Sequence, residues 1–80
     1  KLDERANIPL DVWDALASRQ QQLIIHLRKN RKITRKEYAD IFNISIPTAA
    51  RDLKTLVDKN ILTFKGPAGP GRYYILKEGI

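Results

Sequence analysis

The run Ser45-Ile46-Pro47-Thr48-Ala49-Ala50-Arg51-Asp52-Leu53-Lys54-Thr55-Leu56-Val57 carries a helix start and a two-faced helix in one line. The Ser45 hydroxyl can accept a first-turn backbone N–H. Pro47 falls in that same first turn, where its missing N–H costs nothing. At about 100° per residue, Ile46, Ala49, Ala50, Leu53, Leu56 and Val57 share one apolar arc. Thr48, Arg51, Thr55 and Asp58 face away, with Pro47, Asp52, Lys54 and Lys59 on the flanks. The spacing predicts a helix from Ile46 to about Lys59, stopped at Asn60, which tolerates a left-handed turn.

Upstream, Asn43-Ile44-Ser45 interrupts the helical pattern. Asn43 suits a left-handed residue, and Ile44 can plug a core. Before it, Thr34-Arg35-Lys36-Glu37 has the T-x-x-E form of a capping box. The helix it opens places Tyr38, Ala39 and Phe42 on one side, with Ile41 close by. Ile33, apolar between polar neighbours, suggests a short strand. Ser18-Arg19-Gln20-Gln21 reads as a further capping box of S-x-x-Q form. Its helix gathers Gln20, Leu23, Ile24 and Leu27 on one face, with Ile25 at the margin and His26 opposite as an exposed polar residue. The helix ends in Arg28-Lys29-Asn30-Arg31-Lys32, where cations complement the C-terminal dipole and also form a basic cluster. Further upstream, Asp11 can cap a short helix through Leu16, with Val12, Trp13 and Leu16 on one side and Trp13 packing on the domain or on a partner. Residues 1–9 read as a linker or the tail of a preceding unit.

Downstream, residues 61–65 and 72–76 have strand character. Between them Gly66-Pro67-Ala68-Gly69-Pro70-Gly71 is a run of turn residues, flanked by Lys65 and Arg72. Tyr73 and Tyr74 alternate across the second strand, so one is expected in the core and the other exposed. The order helix, short strand, helix, tight turn, helix, hairpin is that of a winged helix–turn–helix. The predicted fold is therefore α+β and mostly α. It has a three-helix core with a C-terminal β-hairpin wing, plus a short extra N-terminal helix. Residues 1–17 form the linker and short helix, and residues 18–80 the domain.

Eighty residues allow one small core. There is no cysteine and one histidine, His26, so a thiolate zinc site and a His-rich metal cluster are excluded. No apolar run approaches the roughly 20 residues that span a bilayer, and no secretory signal is visible, so no membrane role and a cytoplasmic setting are expected. Asn43-Ile44-Ser45 matches a glycosylation sequon but is discounted on the same ground. The chain starts at Lys1 and has no methionine, which suggests a piece of a longer protein with a further domain upstream. The net charge is +6. Residues 1–17 carry Lys1 and Arg5 against Asp3, Glu4, Asp11 and Asp14, a net of −2, which leaves +8 for the remainder. A basic domain of this kind suits a polyanionic partner, although such charge also serves solubility.

A helix fits the major groove of DNA, and residues near its N-terminus reach base edges. Pro47, Thr48 and Arg51 are placed for that. Arg51 can pair bidentately with a guanine, hold a phosphate, or simply pair on the surface with Asp52, Thr55 or another neighbour. Lys54 and Thr55 lie further along, where contacts more often go to the backbone. Thr34 and Arg35 open the preceding helix, whose amide-rich N-terminus suits a phosphate. Lys65 and Arg72 on the wing would lie along an adjacent backbone or minor groove. The Gly/Pro loop lacks the G-x-x-x-x-G-K-[ST] pattern, so it is not read as a nucleotide site.

Residues 18 to 76 resemble the winged helix modules of DeoR-type bacterial transcription regulators. The nearest likeness is to the C-terminal winged helix of Fic-family proteins and of RecG-related (AlbA/Schlafen-type) regulators. The resemblance rests on Ser18-Arg19-Gln20-Gln21, Ile33-Thr34-Arg35-Lys36-Glu37-Tyr38, Leu56-Val57-Asp58-Lys59-Asn60-Ile61-Leu62, Gly71-Arg72-Tyr73-Tyr74 and, most specifically, Thr48-Ala49-Ala50-Arg51-Asp52-Leu53. It implies that the helix from Ile46 is the DNA reader, with Thr48 and Arg51 in that role, in a module attached to another domain. Asn60 departs from the glycine those families usually carry, and Asn can adopt the same left-handed turn.

Two functions follow from different classes. The first is a duplex DNA-binding module of a bacterial transcription regulator or RecG-related protein, acting as a monomer or a homodimer. The second is a winged helix used for protein–protein interaction or dimerisation within a larger protein, for example of Fic type. Its support is the modest charge of the reading helix, near +1 from Ile46 to Lys59. Enzymatic activity is not expected of this segment. It offers no carboxylate pair in an apolar pocket, no metal spacing and no cofactor motif.

Overall fold

The computed structural model describes residues 7–67 and 71–77. Four helices and three strands follow one another: α1 (Leu10–Ala15), α2 (Ser18–Asn30), β1 (Lys32–Ile33), α3 (Arg35–Phe42), α4 (Ile46–Asp58), β2 (Leu62–Lys65) and β3 (Tyr73–Leu76). The strands form one antiparallel sheet in the order β1-β3-β2. This is the expected α+β, mostly helical winged helix–turn–helix. The hairpin β2–β3 is extended into a three-stranded sheet by the two residues around Ile33. The expected loop from 66 to 71 and the tail from 77 fall partly outside the described residues, as does most of the N-terminal linker.

Local chemistry explains where the helices begin and end. At α3 both halves of the capping box are made: Glu37 N donates to Thr34 Oγ1 at 3.1 Å, and Thr34 N donates to Glu37 Oε1 at 2.8 Å. Ser45 caps α4, accepting from Thr48 N at 3.2 Å, with Pro47 in the first turn. Asn43 is left-handed (φ 55°, ψ 48°) and turns α3 into α4. Asn60 is also left-handed (φ 64°) and closes α4 as Ile61 N donates to Leu56 O at 3.0 Å. These two asparagines supply the backbone conformation that glycine more often provides.

Two starts differ from the sequence reading. The N-cap of α2 is Ala17, not Ser18, and the side chain that reaches back is Gln20, whose Oε1 accepts from Ala17 N at 3.0 Å. Register decides this: a cap one residue earlier puts Gln20 at the third position, while Gln21 is left to donate to Trp13 O at 2.7 Å. Likewise α1 starts after Pro9, with Asp11 in its first turn rather than at its cap.

The core joins every layer: Leu23, Ile24 and Leu27 of α2, Ile33 of β1, Tyr38 and Ala39 of α3, Ala49, Leu53 and Leu56 of α4, then Ile61 and Leu62. Ala39 and Ala49 are small where α3 and α4 pack together, which lets their backbones approach. Ile8 and Leu16 bury in the same core, with Val12 and Trp13 packed against it. The segment before Ser18 is thus tied to the domain from Ile8 onward, where the sequence suggested a linker through Pro9. His26, expected to be exposed, is half-buried and lies 3.3 Å from Asn30 Nδ2 through Nδ1.

Candidate nucleic-acid interface

Of the residues expected at a DNA-facing site, Thr34, Arg35, Pro47, Thr48, Arg51, Lys54 and Thr55 belong to α3, α4 and the cap before α3. Lys65 and Arg72 belong to the wing. On α4, Pro47, Arg51 and Lys54 are exposed and Thr48 and Thr55 half-buried. The start of α4 is fixed by hydroxyls: Ser45 Oγ donates to Thr48 Oγ1 at 2.9 Å while capping the helix. Thr55 donates its hydroxyl to Arg51 O at 3.0 Å. Lys54 pairs with Asp58 at 3.2 Å, an exposed i,i+4 pair worth about 0.3–0.5 kcal/mol and easily exchanged for another anion. Thr55 therefore has its proton engaged, whereas the Arg51 guanidinium projects from the helix.

Asp52 is the main departure. The helical wheel put it on a flank, yet it is 7% exposed. The Tyr38 hydroxyl donates to Asp52 Oδ2 at 2.8 Å, Arg19 Nη2 donates to Oδ1 at 3.1 Å, and Arg19 Nε donates to Oδ2. Gln20 Nε2 reaches the Asp52 carbonyl at 3.4 Å. One carboxylate thus ties α2, α3 and α4 together. A buried carboxylate is tolerable only when it is paired in this way. Burial, followed by the bond to Asp52, pushes the Tyr38 phenol well above its ordinary range. The bond to Asp52 likewise raises the Arg19 guanidinium. The signal for this cluster lay in the sequence as Arg19, Tyr38 and Asp52, but at separations of 19 and 14 residues that no periodicity connects.

Withdrawing Asp52 changes the electrostatics of the outward face. The count of about +1 for Ile46 to Lys59 set Arg51, Lys54 and Lys59 against Asp52 and Asp58. With Asp52 turned inward onto Arg19, the outward side chains carry about +2, so Arg51 is not paired to its neighbour.

Ile46 is the residue that the wheel misplaced. It was expected in the apolar arc but is 46% exposed at the first turn of α4, beside Pro47 and Thr48. Ile41, at the other end of the turn, is 54% exposed. The helix begins before the core does, so its first apolar residue overhangs.

The wing residues do not lie together. Strand side chains alternate, and Lys65 pairs with Tyr73 while Phe64 pairs with Tyr74. Arg72 lies over the Phe64 ring, 4.2 Å from its centroid, on the side that faces the helices. Its Nε is buried with no hydrogen-bond partner among the described residues. Lys65 projects from the opposite face. Residues 68–70 of the connecting loop lie outside the described residues.

No helix among the described residues is long and apolar enough to cross a membrane. Residues 19–65, from the first turn of α2 to the end of β2, match the model of the DeoR-like helix-turn-helix domain. No curated protein and no solved structure matches the chain.

Proposed function

The chain belongs to the DeoR-like helix-turn-helix domain family, and on that premise we propose that it reads duplex DNA as the binding module of a transcription regulator. The reading helix is α4. Arg51 contacts a base edge, Thr48 and Pro47 sit at the adjoining base edges, and the overhanging Ile46 offers an apolar contact to a thymine methyl. Lys54, Thr55, Thr34 and Arg35 meet the sugar–phosphate backbone, the last two at the N-terminus of α3. Arg72 acts from the helix-facing side of the wing, with Lys65 meeting phosphate from the other. The observation that carries this reading is the exposed Arg51 on a capped, rigid helix whose neighbouring carboxylate is turned inward.

The test is selection of a preferred duplex from a random pool, followed by titration of that duplex with the wild-type chain and Arg51→Ala. Loss of a bidentate guanine contact costs about 1–3 kcal/mol, roughly a 5- to 150-fold drop in affinity for the selected site. A second reading, a dimerisation or docking module, draws on the exposed Leu10 and Ile41. It predicts self-association by sedimentation without any selected duplex.

A further inference from the structure

The face of the sheet turned away from the helices carries a different chemistry from that of α4. Ile33, Leu62, Tyr74 and Leu76 point into the core side, so Lys32, Thr63, Lys65, Tyr73 and Ile75 point outward. Tyr73 sits on the middle strand. On one side its cross-strand partner is Lys65 of β2. On the other, the Lys32 amino group of β1 lies 5.0 Å from the centroid of its ring. The outward positions of these three strands include no carboxylate. Lys32 of β1 and the wing cation Lys65 of β2 thus flank Tyr73 of the middle strand on this face.

We propose that this outward face is a second nucleic-acid site, which binds a single strand through an unpaired base stacked on Tyr73 and phosphates held by Lys32 and Lys65. Charge complementarity selects a polyanion. The ring between the two cations selects one with exposed planar groups, since bases in a duplex are stacked on each other and leave Tyr73 unused. Stacking on an aromatic side chain flanked by cations is the sequence-tolerant mode of single-strand binding. Lys32 already occupies the ring as a cation, and on binding it moves to the phosphate while the base takes the ring. The site uses nothing from α4, so it stands or falls apart from the reading of Arg51.

The experiment is a fluorescence-anisotropy titration of the 80-residue chain with a labelled twelve-residue oligothymidylate, at low and moderate salt. Tyr73→Leu keeps an apolar side chain on the strand and should weaken binding roughly 5- to 150-fold, while Tyr73→Phe should retain it. The double variant Lys32→Gln/Lys65→Gln should flatten the dependence of log affinity on log salt by about 1.4, the release of two counterions from a single strand. Arg51→Ala should leave single-strand affinity unchanged. Unchanged thermal melting of each variant separates loss of the site from loss of the fold. Failure of the oligonucleotide to bind at low salt would overturn the proposal. So would equal binding by folded Tyr73→Leu, or abolition of binding by Arg51→Ala.

Discussion

At the scale of single residues, Asp52 does the most. Replacing it with alanine leaves the Tyr38 hydroxyl and the Arg19 guanidinium without their shared acceptor. Losing one partner of a fully buried ion pair costs about 3–5 kcal/mol. The Arg19 side chain is 40% exposed and can recover water, so the expected loss for Asp52→Ala is nearer 2 kcal/mol. In a domain of this size that is a fall in Tm of about 8–16 °C by calorimetry. Tyr38 gives the cluster a pH signature. Its folded phenol titrates above the ordinary value of 10.0, so the folded state favours the protonated form. The associated stability is complete below pH 10.0 and declines as pH rises past it. Denaturant midpoints measured from neutral to strongly alkaline pH should fall on the alkaline side, and Tyr38→Phe should fall less steeply. This cluster is also where reading the sequence stopped short. Residue types can be seen in the chain, but Arg19, Tyr38 and Asp52 meet only once three helices have packed. Ile46 failed for the opposite reason: the wheel sees angle but not depth, and cannot tell that a helix starts outside its core.

At the scale of elements, the caps and turns were legible because they rest on bonds between near neighbours. Thr34 with Glu37, Ser45 with Thr48, and the left-handed Asn43 and Asn60 all follow from side-chain reach over three or four residues. The start of α2 was off by one residue because both Gln20 and Gln21 can complete a capping box, and only packing of the helix decides between them. Ser45→Ala removes the N-cap of α4 and is expected to cost about 1 kcal/mol, a drop in Tm of about 4–8 °C. Because Ser45 also holds the Thr48 hydroxyl, the same variant should lower affinity for a selected duplex beyond its effect on stability. In the wing, Gly66 has φ +87°, and a Cβ there would meet Gly71 O at 2.8 Å. Gly66→Ala should therefore loosen the hairpin, seen as faster amide exchange across the β2–β3 pairs with α2 to α4 unaffected. Lys65 and Arg72 showed in the sequence as a pair flanking a loop. Their separation onto opposite faces depends on strand register, which loop residues alone do not fix.

At the scale of the whole molecule, exposed cations among the described residues lie on two separate surfaces. α4 and the start of α3 present Arg51, Lys54 and Arg35, and the outward sheet presents Lys32 and Lys65 around Tyr73. Fold class and helix order were visible in composition and periodicity, because one apolar stripe per helix and a Gly/Pro-bounded hairpin leave few arrangements for so short a chain. The division of charge was not visible, since it needs the sheet order β1-β3-β2. The most direct test of the central claim is the affinity of the 80-residue chain for its selected duplex as a function of salt, with and without Arg51. If α4 reads DNA, log affinity falls linearly with log salt by about 0.9 per phosphate neutralised, and Arg51→Ala loses 5- to 150-fold on the selected duplex by roughly the value of one base contact while binding unrelated duplex nearly as before. Equal affinity of the wild-type and Arg51→Ala chains for the selected duplex, or no duplex bound at low salt, would contradict it.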